Sequence, residues 1–330
     1  MNFWHKLAFY QQRINCALHD ILPPQISPCF KTDKKQAARA YWQLIFCLLL
    51  LPSLASAQNN YANNELAFGK SLENGLSSGQ AVWLNDGQVE FFAVFNPDQS
   101  GQPKGGIIIL HDANSHPDTP EVIQPLRADL PEHGWATISI QLPYLSSVDD
   151  YVNKQAVINK RIEAAIKHLN NVGLNNIALV GHGSGAMAAT AFLSTQSSAT
   201  VQAFVAISLG IIEADGKAES ITEQIEKISL PILDIYGSND YDYVTNSAKS
   251  RALAAKVSSN SATRSNQLDA FKRSAIAKSS TQRSQGYISY RQIKIDGASH
   301  DFVATPYLLT RRIVGWLERH AKGVTVSKNR

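Results

Sequence analysis

Three short stretches of this 330-residue chain carry residue types whose order could support nucleophilic chemistry. The first, NIALVGHGSGAMAAT (Asn176 to Thr190), is an apolar run, a glycine-rich turn and an alanine-rich run. The second, DIYGSNDYDYV, sets Asp240 just after an apolar run, and the third, KIDGASHDF, sets His300 in a turn after another. Turn, acid and histidine in that order can supply a nucleophile, an orienting carboxylate and a proton-transferring imidazole. A fourth stretch, ILHDANSHPD, follows an earlier apolar run, at a position whose backbone N–H helps to hold a developing oxyanion.

The glycine turn reads in two ways. As G-x-G-x-x-A (Gly181, Gly183, Ala186) it fits a dinucleotide-binding turn. That reading asks for an acidic residue about 20 positions on, at the end of the next strand. VQAFVAISLG ends instead in Ser208 and Leu209, and Glu213 lies beyond it. As small-x-nucleophile-x-small the turn fits a nucleophile elbow flanked by Gly181 and Gly185. The central residue is then Gly183, which has no attacking atom. Centring the elbow on Ser184 places His182 and Ala186 in the flanking positions, and His182 is bulky for so tight a bend. The register favours Gly183, with Ser184 at the helix start, its hydroxyl available as a cap and its N–H facing the oxyanion position.

In the alternative register Ser184 attacks, His300 takes its proton and Asp240 orients the imidazole, while N–H groups near Ala113 and Gly185 hold the oxyanion. If the remaining apparatus is assembled, Gly183→Ser is expected to gain reactivity toward a serine-directed probe. His111, Asp112 and His182 are expected to line the pocket. Imidazole and carboxylate there suit zinc, but no close i, i+4 pair supports a metal site, so neither metal nor cofactor is assigned.

These groups need strands and helices to position them. AVWLNDGQVEFFAVFNP reads as a hairpin around an Asn-Asp-Gly turn, and GGIIILHD as a strand buried on both faces. Strands and helices then alternate: helix 120–132, ATISIQL, helix 152–170, NIALVG, helix 185–193, VQAFVAIS, PILDIYG, a helix from about Asn246, YISYRQIKI and helix 306–320. The predicted class is α/β, with a mainly parallel central sheet, helices on both faces and an antiparallel N-terminal hairpin. Ligands of such sheets sit at the carboxyl ends of the strands.

On the order of elbow, acid and histidine, the region from about 80 to 322 resembles the α/β-hydrolase superfamily. GHGSGA, YRQIKIDGASHDF and GWATISIQLPYL resemble, more narrowly, a bacterial branch of exported hydrolase-like proteins catalogued as a domain of unknown function. The resemblance implies the fold and a pocket with Asp240 and His300 as acid and histidine; it implies no substrate. The chain departs from the superfamily pattern at the nucleophile, and it has Asp112 where lipase-like oxyanion motifs carry glycine.

Residues 1–57 read as an export signal: a basic region (Lys31, Lys34, Lys35, Arg39), the apolar LIFCLLLLPSL and small residues for cleavage after Ala57. The apolar run falls short of the roughly 20 residues of a membrane span, and an uncleaved inner-membrane anchor is the alternative. A periplasmic location follows. All three cysteines (Cys16, Cys29, Cys47) lie in this leader, so a cleaved chain has no disulfide and no thiolate chemistry. The leader also carries the whole net charge of +4, leaving a neutral remainder with no electrostatic case for nucleic acid. Residues 58–79 read as a flexible linker, 80–322 as the domain and 323–330 as a tail. Within the domain, the basic, Ser-rich segment 249–286 reads as a solvated surface or as a contact with anionic envelope material. With Gly183 at the nucleophile position the chain reads as a weak or non-classical hydrolase or a pseudoenzyme; the alternatives are a serine esterase or amidase using Ser184 on an ester or envelope glycoconjugate, and a non-catalytic protein binding a small or envelope-derived ligand.

Overall fold

The computed structural model describes residues 64–145, 150–195, 200–211, 220–257 and 289–321. The expected export signal, the three cysteines, residues 258–286 of the basic segment and the two that follow it, and the tail from 322 lie outside the described residues. Eight described strands form one sheet: β1 (Gln80–Asn85), β2 (Glu90–Asn96), β3 (Gly105–Leu110), β4 (Trp135–Ile140), β5 (Ile177–His182), β6 (Val201–Ile207), β7 (Ile232–Asn239) and β8 (Tyr290–Ser299). Their order is β1-β2-β4-β3-β5-β6-β7-β8. β1 and β2 pair antiparallel, as do β2 and β4, and every other pair is parallel. The hairpin turn is fixed by Asp86, whose Oδ1 accepts from the N–H groups of Gln88 and Val89, while Gly87 takes φ 95°.

Burial on both faces explains the unbroken apolar runs. In β3, Ile108 and Leu110 join one core layer, with Ile158, Ile162, Ala165 and Leu169 of α3 (Tyr151–Asn171) and the apolar face of α4 (Ser184–Thr195). Ile107 and Ile109 join the other layer, with Ile123 and Leu126 of α2 (Ile123–Asp129) and Leu309, Ile313 and Trp316 of α8 (Pro306–His320). Three further helices, α5 (Ile221–Lys227), α6 (Asp242–Thr245) and α7 (248–257), lie between β6 and β8 in sequence. α5, absent from the sequence reading, starts on a capping box between Ser220 and Glu223.

Two expectations are corrected. The described part of the expected flexible linker contains a helix, α1 (64–75). It is tied down by contacts that composition cannot show: Arg161 donates to Glu65 at 2.5 Å and Gln141 to the Glu65 carbonyl at 3.2 Å. Arg251, counted among the solvated basic residues, is fully buried in α7 and donates to both oxygens of Asp234.

From β3 the chain steps to β4 on one side and later returns to β5 on the other. The segments leaving β3 and β5 therefore diverge, and the carboxyl ends of these two strands border a crevice.

Candidate active site

The elbow after β5 pivots on Gly183, at φ 55°. Gly181 and Gly185 are small because the backbone approaches closely on both sides. A Cβ on Gly181 would lie 2.6 Å from Ala186 Cα, and one on Gly185 2.4 Å from the His111 carbonyl oxygen. Ser184 opens α4 inside the helix, and its buried hydroxyl has no hydrogen-bond partner, so it does not act as a cap. No hydrogen bond joins it to His300.

The place of the missing side chain is filled from β3. A Cβ on Gly183 would fall 2.2 Å from both Cγ and Oδ1 of Asp112. Asp112 Oδ1 accepts from the Ser184 N–H at 2.6 Å, and its Oδ2 accepts from His300 Nε2 at 3.0 Å. On the other side of the ring, His300 Nδ1 donates to Asp240 Oδ1 at 2.7 Å. Asp240 is held in turn by the Ser208 hydroxyl at 2.6 Å and the Tyr241 N–H at 2.8 Å. The site is thus a row, Asp112–His300–Asp240, in which a carboxylate makes the contacts expected of a nucleophilic hydroxyl.

Both ring nitrogens of His300 face carboxylate oxygens, so both carry protons. Burial pulls the imidazolium down, but the hydrogen bonds to Asp112 and Asp240 outweigh it and lift His300 to about 9. Burial opposes ionisation of both carboxyls, and the bond from His300 leads the contacts that hold Asp112 and Asp240 below the usual carboxylate range. His111 behaves differently. Leu142 N–H donates to its Nε2 at 3.0 Å, so Nδ1–H donates to the Asp112 carbonyl at 2.8 Å, and burial lowers it to about 4. His182 Nε2 donates to the His300 carbonyl at 3.0 Å, and burial lowers it too.

Ligand atoms of Asp112, His182 and His300 lie within 4.8 Å of one another, making these the described residues that could share a cation. In this arrangement the space between Asp112 and His300 is bridged by the Nε2 proton.

A cavity of about 510 Å³ opens on Asp112 and His111 and is walled by Phe68, Leu142, Pro143, Tyr144 and Leu145. His116, in the loop after β3, also lines it. Of the expected pocket residues, His111 and Asp112 line this cavity and His182 does not. Of the two expected oxyanion positions, Gly185 is buried in α4 and Ala113 packs against the core; the N–H that meets the carboxylate is that of Ser184.

Sequence reasoning missed Ser208 and Tyr241. Ser208 follows β6 with a positive φ of 53°, and its hydroxyl donates to Asp240. Two other non-glycine residues with positive φ, Asn114 and Phe302, lie two positions after Asp112 and His300. Backbone strain of this kind concentrates where loops must hold functional groups.

A mostly parallel sheet with an elbow after β5, an acid after β7 and a histidine after β8 defines an α/β-hydrolase fold. The family model described as "Protein of unknown function (DUF3530)" matches residues 32–157 and 146–287, and the chain belongs to that family. No curated protein matches it in sequence. Among solved structures it is similar to Est1E from Butyrivibrio proteoclasticus, at 13% identity and TM-score 0.53, covering 73% of this chain and 98% of that one. It is also similar to a dienelactone hydrolase from Anabaena variabilis, at 16% identity and TM-score 0.51, covering 74% and 98%. At these identities the likeness is one of fold.

Proposed function

We propose that this chain is an exported hydrolase-fold protein that works without a serine nucleophile on a small molecule received in the cavity beside Asp112. One observation carries the reading: the volume of a side chain at position 183 is already occupied by the Asp112 carboxylate, 2.2 Å from where its Cβ would be. The oxyanion N–H of Ser184 is engaged by the same carboxylate, so a bound ester would find neither attacking hydroxyl nor free donor. Export is supported by the basic region, apolar run and small residues ending at Ala57. Among the described residues no helix is long and apolar enough to cross a membrane.

The reading is tested with a fluorophosphonate probe on the purified protein, the same intact-mass spectra reporting cleavage after Ala57. The native chain is expected to stay unlabelled. Gly183→Ser alone is also expected to stay unlabelled, contrary to the expectation from sequence, because its side chain meets Asp112. Gly183→Ser combined with Asp112→Gly frees the space, the Ser184 N–H and His300 together, and is expected to label at position 183. Labelling of native protein at Ser184 would overturn the reading and make it a serine esterase.

A further inference from the structure

The carboxyl ends of β3, β5 and β8 bring together a donor set that the hydrogen-bonded row uses only in part. Ligand atoms of Asp112, His182 and His300 lie within 4.8 Å of one another, and His182 stands outside the row. We propose that these three side chains bind a divalent transition-metal ion of the zinc class, which takes the place held in the metal-free chain by the His300 Nε2 proton. Such a site stands independently of the reading above.

Four features select an ion of this kind. The first is the donor set, since two imidazoles and a carboxylate suit zinc, whereas calcium and magnesium call for oxygen ligands. Zinc–ligand lengths of about 2.0 Å put tetrahedral donors roughly 3.3 Å apart. Asp112 Oδ2 and His300 Nε2 are already 3.0 Å apart, so the third donor has at most about 1.5 Å to close. The second is the support behind the rings. His300 Nδ1 donates to Asp240 at 2.7 Å, and the Ser208 hydroxyl donates to Asp240 at 2.6 Å, the carboxylate–histidine arrangement that fixes ring and tautomer in metal sites. His182 Nε2 donates to the His300 carbonyl at 3.0 Å, which leaves Nδ1 for the ion.

The third feature is charge. Asp112 and Asp240 bring two carboxylates into the site, and their contacts are His300, a hydroxyl and backbone N–H groups, with no lysine or arginine among the described residues. One divalent cation balances them with both rings neutral, the form in which imidazole ligates. The fourth is a pair of unused hydroxyls. Ser184, whose N–H meets Asp112, keeps a buried oxygen without a hydrogen-bond partner, and so does Tyr243. Burial, and then the charges of Asp112 and Asp240, push the Tyr243 hydroxyl above its ordinary value. Three protein ligands leave zinc a fourth position for water, and buried hydroxyls without partners mark a place for one. Gly183 belongs to the same arrangement: a Cβ there would lie 2.2 Å from Asp112 Cγ, so a side chain at the elbow would push the carboxylate off the two rings.

The test uses the tag-free full chain, stripped with a chelator, loaded with zinc chloride and desalted. About one equivalent of zinc is expected to remain, with a rise in thermal midpoint that EDTA reverses. His182→Ala is expected to lose the retained zinc, and Asp240→Asn to weaken binding by about 10–100-fold. His320→Ala, at the end of α8, is expected to keep it. If His182→Ala proves unfolded, X-ray absorption of the zinc-loaded native chain decides: two imidazoles around the zinc are expected, and oxygens alone overturn the proposal. No retained zinc, retention unchanged in folded His182→Ala, or tighter binding of magnesium or calcium than of zinc overturns it equally. None of these results touches the absence of serine chemistry, which the fluorophosphonate experiment judges separately.

Discussion

His300 holds its two protons between two carboxylates, and this ties stability to pH at the level of a single side chain. Its value is raised from 6.5 to about 9, so its contribution is complete below 6.5 and is lost as pH rises through about 9. Asp112 and Asp240 are shifted the other way, so their contributions are present above their ordinary 3.8 and are lost as pH falls below it. Below pH 6.5 the unfolded chain also takes up protons on His111 and His182, which burial keeps neutral in the fold, so urea midpoints are expected to peak near pH 6.5, to fall on the acid side and to fall toward pH 10, the alkaline loss being at most about 3 kcal/mol. His300→Gln should flatten the alkaline limb; an unchanged limb would show that the proton is not held there. At this scale the sequence was partly legible. Asp240 and His300 could be paired because each follows a strand in a fixed order, and Gly183 because its neighbours must be small. The part of Asp112 could not be read, since it depends on a carboxylate reaching a ring 188 positions away in sequence.

At the scale of elements, the strands and long helices were legible because their apolar spacing is regular, and α8 (Pro306–His320) begins and ends where the sequence places it. Elements anchored by buried charge were not. α1 looks like a polar linker, yet Glu65 joins Asp86 around the buried guanidinium of Arg161, which also lies 4.9 Å over the Phe91 ring. α7 looks like the start of a solvated basic segment, yet Arg251 fixes it to Asp234 on β7, where Tyr290 and Gln292 of β8 also donate. A periodicity argument scores arginine as outward-facing and misses all of this. Because Asp234 is itself buried, Arg251→Ala leaves an uncompensated carboxylate and should cost about 3–5 kcal/mol in chemical denaturation. Arg251→Met with Asp234→Leu removes both charges and should cost much less. Equal costs would mean that packing of the side chains, rather than charge pairing, holds α7 in place.

At the scale of the whole molecule, one sheet divides two core layers and couples them. Alternate residues of β3 and β5 enter opposite layers, Ile108 and Leu179 on one side, Ile109 and Val180 on the other. The row Asp112–His300–Asp240 hangs from the ends of β3, β7 and β8 in that same sheet, so its distances depend on both layers. If each layer could melt alone, the row would lose its registration while half the core survived. The shared strands argue against that, since the backbone that one layer needs is the backbone that orders the other. Ile108→Ala and Ile109→Ala, each fully buried, should each cost about 2–5 kcal/mol and shift the same single transition. The check is to follow urea unfolding by far-ultraviolet circular dichroism and by tryptophan fluorescence. Trp135 and Trp316 both belong to the layer of Ile109, so the fluorescence reports mainly on that side. Coincident curves in both variants are expected. A fluorescence transition displaced by Ile109→Ala but not by Ile108→Ala would show that the layers melt independently and that the site is held by one of them.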